Sequence, residues 1–530
     1  MVVTVLVAAC ASSKGGQTSD AGTGGATGTG GLSGTGGAPA GGSSGTGGST
    51  ATSGSGGTVS NPGGACAPLA LNANTSVATF DTDQFVWQDS ACKPRKAALV
   101  RVGGGYVRQF VYDVDGKART VTGTGANGHT GWGYTVNHWG NTATIGRGVP
   151  GSFKPLFVGR HHAVYEYAFK VSINGKDVAV VQHWFFATGR DNPVLATTYD
   201  LTTLPAGSLG ADTRTPYGDL AWDGDENGAT TVVDGVAWGD RYKFTTTSAP
   251  LTMNSKWDYS KPNVVPYVLA WTVKSDAEMG IVQTQTQAQH DAGGYWFYDN
   301  WGKTSDNAAP RKSGQIGLMT PTWNWTYQVN QYELCIENPA CLNGTTGSHR
   351  LAWGSNYGAI GGANPGSGSY PAYGDDKMLS GHPFHSYAIF MVLGKHSATP
   401  VFRQATEIER VQGTRLTASA GTVQTMGPGG VGRTDAVALA PAGYDQRYAV
   451  WSVEAAANRA ALKLSIEAGA LTNPVLLLSG YTAATPPAVK IDGASKTADA
   501  DYLLSLDTAG KQVWITLRGD WTGSHELEIQ

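Results

Sequence analysis

Along residues 161–187 apolar and polar side chains alternate with a period of two, and Asn174-Gly175 interrupts the alternation. Asn-Gly between two strand-like runs is the strongest short signal for a two-residue type I′ hairpin. Such a turn makes Ile173 face Lys176. Counting outward puts Tyr165 opposite Trp184 and Glu166 opposite His183. One face then collects Ala163, Tyr165, Tyr167, Phe169 and Val171 with Val178, Val180, Trp184 and Phe186, and reads as core. The other carries His162, Glu166, Lys170, His183 and Phe185 and reads as a solvated face that can bear a site.

The same period, broken by Asn-Gly, Asp-Gly and Gly-Gly, runs through most of the chain, and long amphipathic helices are missing. The prediction is an all-β protein. No apolar run reaches the roughly 18 residues that a membrane-spanning helix needs. Residues 66–412 exceed one small sandwich and predict a large antiparallel β-sandwich, of super-sandwich size or two sandwiches fused. From residue 413 the aromatic density falls. Short strands near 448–453, 461–466, 475–478 and 513–517 predict a smaller, separate β-sandwich over 413–530. Its Asn473-Pro474-Val475-Leu476 and Asp501-Tyr502 segments resemble the accessory sandwiches that follow catalytic domains in some secreted polysaccharide-degrading enzymes.

The amino-terminal residues change the picture from fold to address. Leu6-Val7-Ala8-Ala9-Cys10 resembles the lipobox of bacterial lipoproteins. The resemblance implies that residues 1–10 are a signal segment, that Cys10 carries lipid, and that the protein sits outside the cytoplasm on a cell-surface or outer membrane. Residues 11–65 are rich in Gly, Ser and Thr with almost nothing to bury, so they read as a flexible linker. Its root-mean-square span is roughly 40 Å. In an exported chain the four further cysteines, Cys66, Cys92, Cys335 and Cys341, suggest two disulfides. Four cysteines allow three pairings; proximity favours Cys66 with Cys92 and Cys335 with Cys341. A formal net charge of −3 without a basic stripe argues against a nucleic-acid partner. Residues 66–530 carry no phosphate loop and no Gly-x-Ser-x-Gly elbow, so esterase and nucleotide-dependent readings fall; no organic cofactor is expected, and the chain is expected to be monomeric.

The candidate chemistry begins with Glu166 and His183, whose Cβ atoms the hairpin register sets about 5 Å apart. A carboxylate there orients an imidazole and tunes it toward general-base work. His162 lies about 13 Å along the strand from Glu166 and is a further candidate that shares no metal with it. Large sandwiches of this kind weakly resemble polysaccharide lyases. That resemblance implies β-elimination on a uronic-acid glycan, with His183 as base and Arg160 or Asn137, beside His138, meeting the substrate carboxylate. A glycoside hydrolase would instead need two carboxylates about 5 to 9 Å apart, and Glu166, Asp219, Asp299 and Glu333 are candidates. A non-catalytic glycan-binding lipoprotein is the third reading. Sugar contacts are expected from the amides of Gln283 and Gln285, from Trp296 with Tyr298, from Trp323 with Trp325, and from the loop bearing His382 and His385. Asp223, Asp225, Asn227 and Asp234 have the oxygen spacing of an EF-hand-like calcium loop, with Asp where Glu usually closes it. A calcium bound there would be structural.

Overall fold

Short β-branched and aromatic runs bounded by glycine cannot bury one face alone, and here they pair into sheets that cover one another. The computed structural model describes residues 59–60, 64–101, 105–123, 130–139, 142–145, 149–173, 176–200, 212–222, 235–239, 244–247, 256–257, 265, 267–284, 295–296, 327–329, 350–355, 384–424, 426–427, 430–431 and 441–530. Among these, two sheets of nine and ten strands dominate the first part of the chain. The nine-stranded sheet holds His162–Ile173, Lys176–Ala187, Val194–Asp200, Ala277–Gln283 and Phe384–Lys395 at its centre.

The hairpin register is as expected. Ile173 pairs with Lys176, Tyr165 with Trp184 and Glu166 with His183. Every residue assigned to the core face is buried and packs with Phe85, Trp87, Phe110 and Trp132 of the ten-stranded sheet. The Phe85 and Phe186 rings stack at 4.7 Å. Each such ring removed from water contributes about 2–3 kcal/mol. The buried Tyr165 hydroxyl donates to Asp83. The expected Cys66–Cys92 disulfide is formed; Cys335 and Cys341 lie outside the described residues.

The carboxy-terminal strands also match the pattern, at Val450–Glu454, Ala460–Thr472, Val475–Ser479 and Gln512–Leu517. They belong to two further sheets, each of six strands among the described residues. Val450–Glu454 and Val475–Ser479 pair in parallel. Two features depart from the expected plan. A helix, Pro400–Gln412, precedes the last strands and buries Val401, Ala405, Ile408 and Val411. The last sheets, moreover, share a continuous core with the nine-stranded sheet: Val164, Phe185, Val194 and Ala196 pack into one cluster with Tyr448, Trp451 and Trp514.

Candidate functional site

The hairpin delivers the Glu166–His183 pair. His183 Nε2 lies 3.1 Å from Glu166 Oε2, and Lys154 Nζ lies 3.6 Å from Glu166 Oε1. The hydrogen bond from His183 is the main force holding the Glu166 carboxyl below its ordinary range, against partial burial that pushes it up. An ionised carboxylate only accepts, so Nε2 carries the proton and Nδ1 is left to accept. It accepts from the Tyr448 hydroxyl at 3.3 Å. Burial raises the Tyr448 phenol to about 12, which keeps it a donor.

The pair does not stand on a wet face. Phe185 packs 5.1 Å from Trp514 and 5.7 Å from Tyr448, and the carboxy-terminal sheets cover the hairpin here. The side chains of His183 and Glu166 are 12% and 17% exposed. With both ring nitrogens engaged, His183 has no lone pair left to offer a polymer. The solvated-face expectation is therefore corrected: this face is a seam.

His162 and Arg160 are corrected with it. His162 is fully buried, with Nδ1 3.0 Å from Ser505 Oγ and Nε2 2.9 Å from Thr516 Oγ1. Ser505 Oγ already accepts the backbone N–H groups of His161 and His162, so its own proton goes to Nδ1. Burial holds His162 well below the usual imidazole range, and the ring is neutral. Arg160 donates from Nε and Nη2 to Asp499 at 3.3 and 2.6 Å and bridges to the carboxy-terminal part instead of meeting a substrate.

Gln283 is a further correction. Its strand, Ala277–Gln283, is central in the nine-stranded sheet and buried at every position, so its amide is not a surface donor. The backbone of Asn137 and His138 lies in Trp132–Trp139, paired with Thr213 and Asp212. Trp296 lies in Tyr295–Trp296, paired with Lys256, and His385 in Phe384–Lys395, paired with Tyr199. Cys10, Asp223, Asp225, Asn227, Asp234, Gln285, Tyr298, Trp323, Trp325 and His382 lie outside the described residues.

The structure adds a site that the sequence reading missed. A cleft of about 380 Å³ opens between the helix Pro400–Gln412, the turn after the hairpin and the carboxy-terminal sheets. Gly189 starts that turn at φ +92, a left-handed conformation that glycine adopts without strain. Its carbonyl accepts from Asn473 at 2.6 Å, which ties the turn to the carboxy-terminal part. Arg190 then donates to the carbonyls of Tyr448 and Ala449 at 3.2 and 2.6 Å. Asp191 accepts from the Ser90 backbone and hydroxyl at 2.9 and 2.6 Å. From the helix, Asn192's partner Gln404 and the side chains of Arg403, Glu407 and Arg410 line the same space. Glu407 Oε1 accepts the Thr472 N–H at 3.1 Å, and burial, opposed by Arg190, pushes its carboxyl up to about 7. Phe402, 43% exposed, adds an apolar ring. The available sequence signals were the polar Gly189-Arg190-Asp191-Asn192 turn and a helix whose polar face carries Arg403, Glu407 and Arg410.

No protein-family model matches the chain. No curated protein matches it either. Solved structures that it resembles include an aldose epimerase homologue from C. elegans, at 8% identity over 56% of this chain and 95% of that one, with a TM-score of 0.30. An alpha-mannosidase from Enterococcus faecalis V583 overlaps at 9% identity over 82% of this chain and 41% of that one, TM-score 0.31. A glycosyl hydrolase family 38 protein from Enterococcus faecalis overlaps at 9% identity over 80% and 43%, TM-score 0.29. Overlaps of this size leave the chemistry of the chain to its own residues.

Proposed function

We propose that this chain is an exported glycan-binding protein, held at the outer face of a membrane through Cys10, that takes a segment of a polysaccharide into the cleft beside the helix Pro400–Gln412. The observation that carries the reading is the lining. Guanidinium, carboxylate and amide groups converge there with one exposed ring, in a volume of about 380 Å³, within the usual range for small-ligand sites of roughly 300–1,000 Å³. Planar polar groups match vicinal hydroxyls, and an aromatic ring matches the C–H face of a sugar.

A second reading, β-elimination on a uronic-acid polymer, rests on the Glu166–His183 pair with Lys154 beside it, and needs the Tyr448 contact to His183 Nδ1 to give way so that the ring can act as base. In that reading Lys154 neutralises the substrate carboxylate. One experiment separates the two. The full chain is incubated with a panel of neutral and uronic-acid polysaccharides, with binding followed by calorimetry and unsaturated product by ultraviolet absorbance. Saturable binding with flat absorbance supports the binding protein. Rising absorbance that His183→Ala abolishes would replace it with the lyase, and neither signal would remove both.

A further inference from the structure

Of the charged groups in the cleft, most are committed. Arg190 and Arg410 spend donors on backbone carbonyls, the latter on Ala470 at 3.0 Å. Asp191 is held by Ser90, and Asp520 accepts from the Thr472 hydroxyl at 2.7 Å. Two groups are not. Among the described residues the Arg403 guanidinium makes no hydrogen bond, and Glu407 uses one carboxyl oxygen while the other has no partner. Residues 403 and 407 are one helical turn apart, with Cβ atoms about 5–6 Å from each other, a spacing that ordinarily closes an ion pair. None is formed here, because Glu407 turns to the Thr472 N–H.

We propose that the cleft takes a carboxylate-bearing sugar, a uronate unit, with its ring against Phe402 and its carboxylate on Arg403 beside the free oxygen of Glu407. This rests on the cleft being the glycan site. Arg403 feels the charge of Asp191 without a hydrogen bond to it, and a neutral sugar would give the guanidinium no charged acceptor. A free phosphate would leave the Phe402 ring idle. A uronate engages both groups.

Glu407 then governs the pH at which the site accepts its ligand. It faces Arg190 and Asp191 from the turn, Arg403 and Arg410 from its own helix, and Tyr444 and Asp520 from the carboxy-terminal sheets. Protonated, it donates to the ligand carboxylate; ionised, it repels it. With a carboxyl near 7, the protonated fraction falls from nearly all at pH 5.5 to about a tenth at pH 8. Affinity for the acid falls with it by up to about ten-fold.

The test uses the full chain and calorimetry with trimers of galacturonate, glucuronate, mannuronate and guluronate, each beside its methyl ester, at pH 5.5 and 8. The expected result is one acid that binds at pH 5.5 and weakens at pH 8, while its ester binds weakly and equally at both. Arg403→Ala, at a helix surface, weakens the acid roughly ten-fold and leaves the ester unchanged. Glu407→Gln, which keeps an acceptor for Thr472, removes the pH dependence. An ester that binds as tightly as its acid, or an acid indifferent to Arg403→Ala, overturns the uronate assignment while leaving a glycan cleft. No binding by any trimer, charged or neutral, overturns the cleft itself.

Discussion

His162 shows what a titratable side chain does when a seam closes over it. Ser505 donates to one ring nitrogen and Thr516 accepts from the other, so the ring is satisfied only while neutral. Its folded pKa lies well below the ordinary value because burial disfavours charge. In the unfolded chain the ring takes up a proton near pH 6.5. Stability is therefore full above that pH and shrinks as the pH falls toward the folded pKa, by up to about 1.4 kcal/mol per pH unit. Urea unfolding at pH 7.5 and 5.0 checks this. The wild-type chain is expected to lose roughly 2 kcal/mol more than His162→Gln across that interval, and coincident losses would mean that the ring is already charged in the fold. Glu166 and His183 were legible from sequence because alternation and a two-residue turn are local rules. What covers them was not, because Tyr448, Ser505, Trp514 and Thr516 come more than two hundred residues later. The overlooked signal was apolar: Val164 and Phe185 sit on the face that the polar residues had marked as wet.

At the scale of elements, the strands were legible and the helix was not. The helix signals are present: Pro400 in the first turn, apolar residues at 401, 405, 408 and 411, and Gly413 after the end. They occupy 13 residues between long stretches of period-two alternation, and so short a run of helical spacing is masked by the strand pattern on either side. A tertiary contact anchors the helix. Buried Glu278, from the strand Ala277–Gln283, accepts the Val401 N–H at 3.1 Å with one oxygen and meets His396 Nδ1 at 2.5 Å with the other. The carboxyl group thus caps one free donor in the first helical turn. Glu278→Ala strips both contacts inside the core and is expected to cost about 2–3 kcal/mol in denaturant unfolding. Since this helix walls the cleft, glycan affinity is expected to fall in the same variant. A loss of stability with unchanged affinity would show that the cleft does not depend on where the helix is held.

At the scale of the whole molecule, the junction decides how the parts behave. The sequence pattern predicts a large sandwich over 66–412 and a separate, smaller one over 413–530. Contacts instead group residues 55–530 into one compact unit. Polar ties reinforce the shared apolar cluster along the junction: Arg160 and His161 to Asp499, His162 to Ser505 and Thr516, Gly189 to Asn473, and His183 to Tyr448. Removing residues 413–530 would strip Tyr448, Trp451 and Trp514 from the cluster they share with Val164, Phe185, Val194 and Ala196 and would uncover Phe185 of the nine-stranded sheet, and an exposed apolar patch of that kind drives association. A chain ending at Gln412 is therefore expected to aggregate, and residues 64–530 to unfold in a single calorimetric transition. The cleft gives this a functional edge, since its walls come from both sides of residue 412. If the sides were loosely joined, two transitions would appear, the shortened chain would stay soluble, and Trp514→Ala would leave the first transition in place. The shared core requires the opposite, because Trp514 packs on Phe185 and Phe157 of the nine-stranded sheet. Its loss, about 3–5 kcal/mol for a buried Trp, should lower the one transition that both sides share.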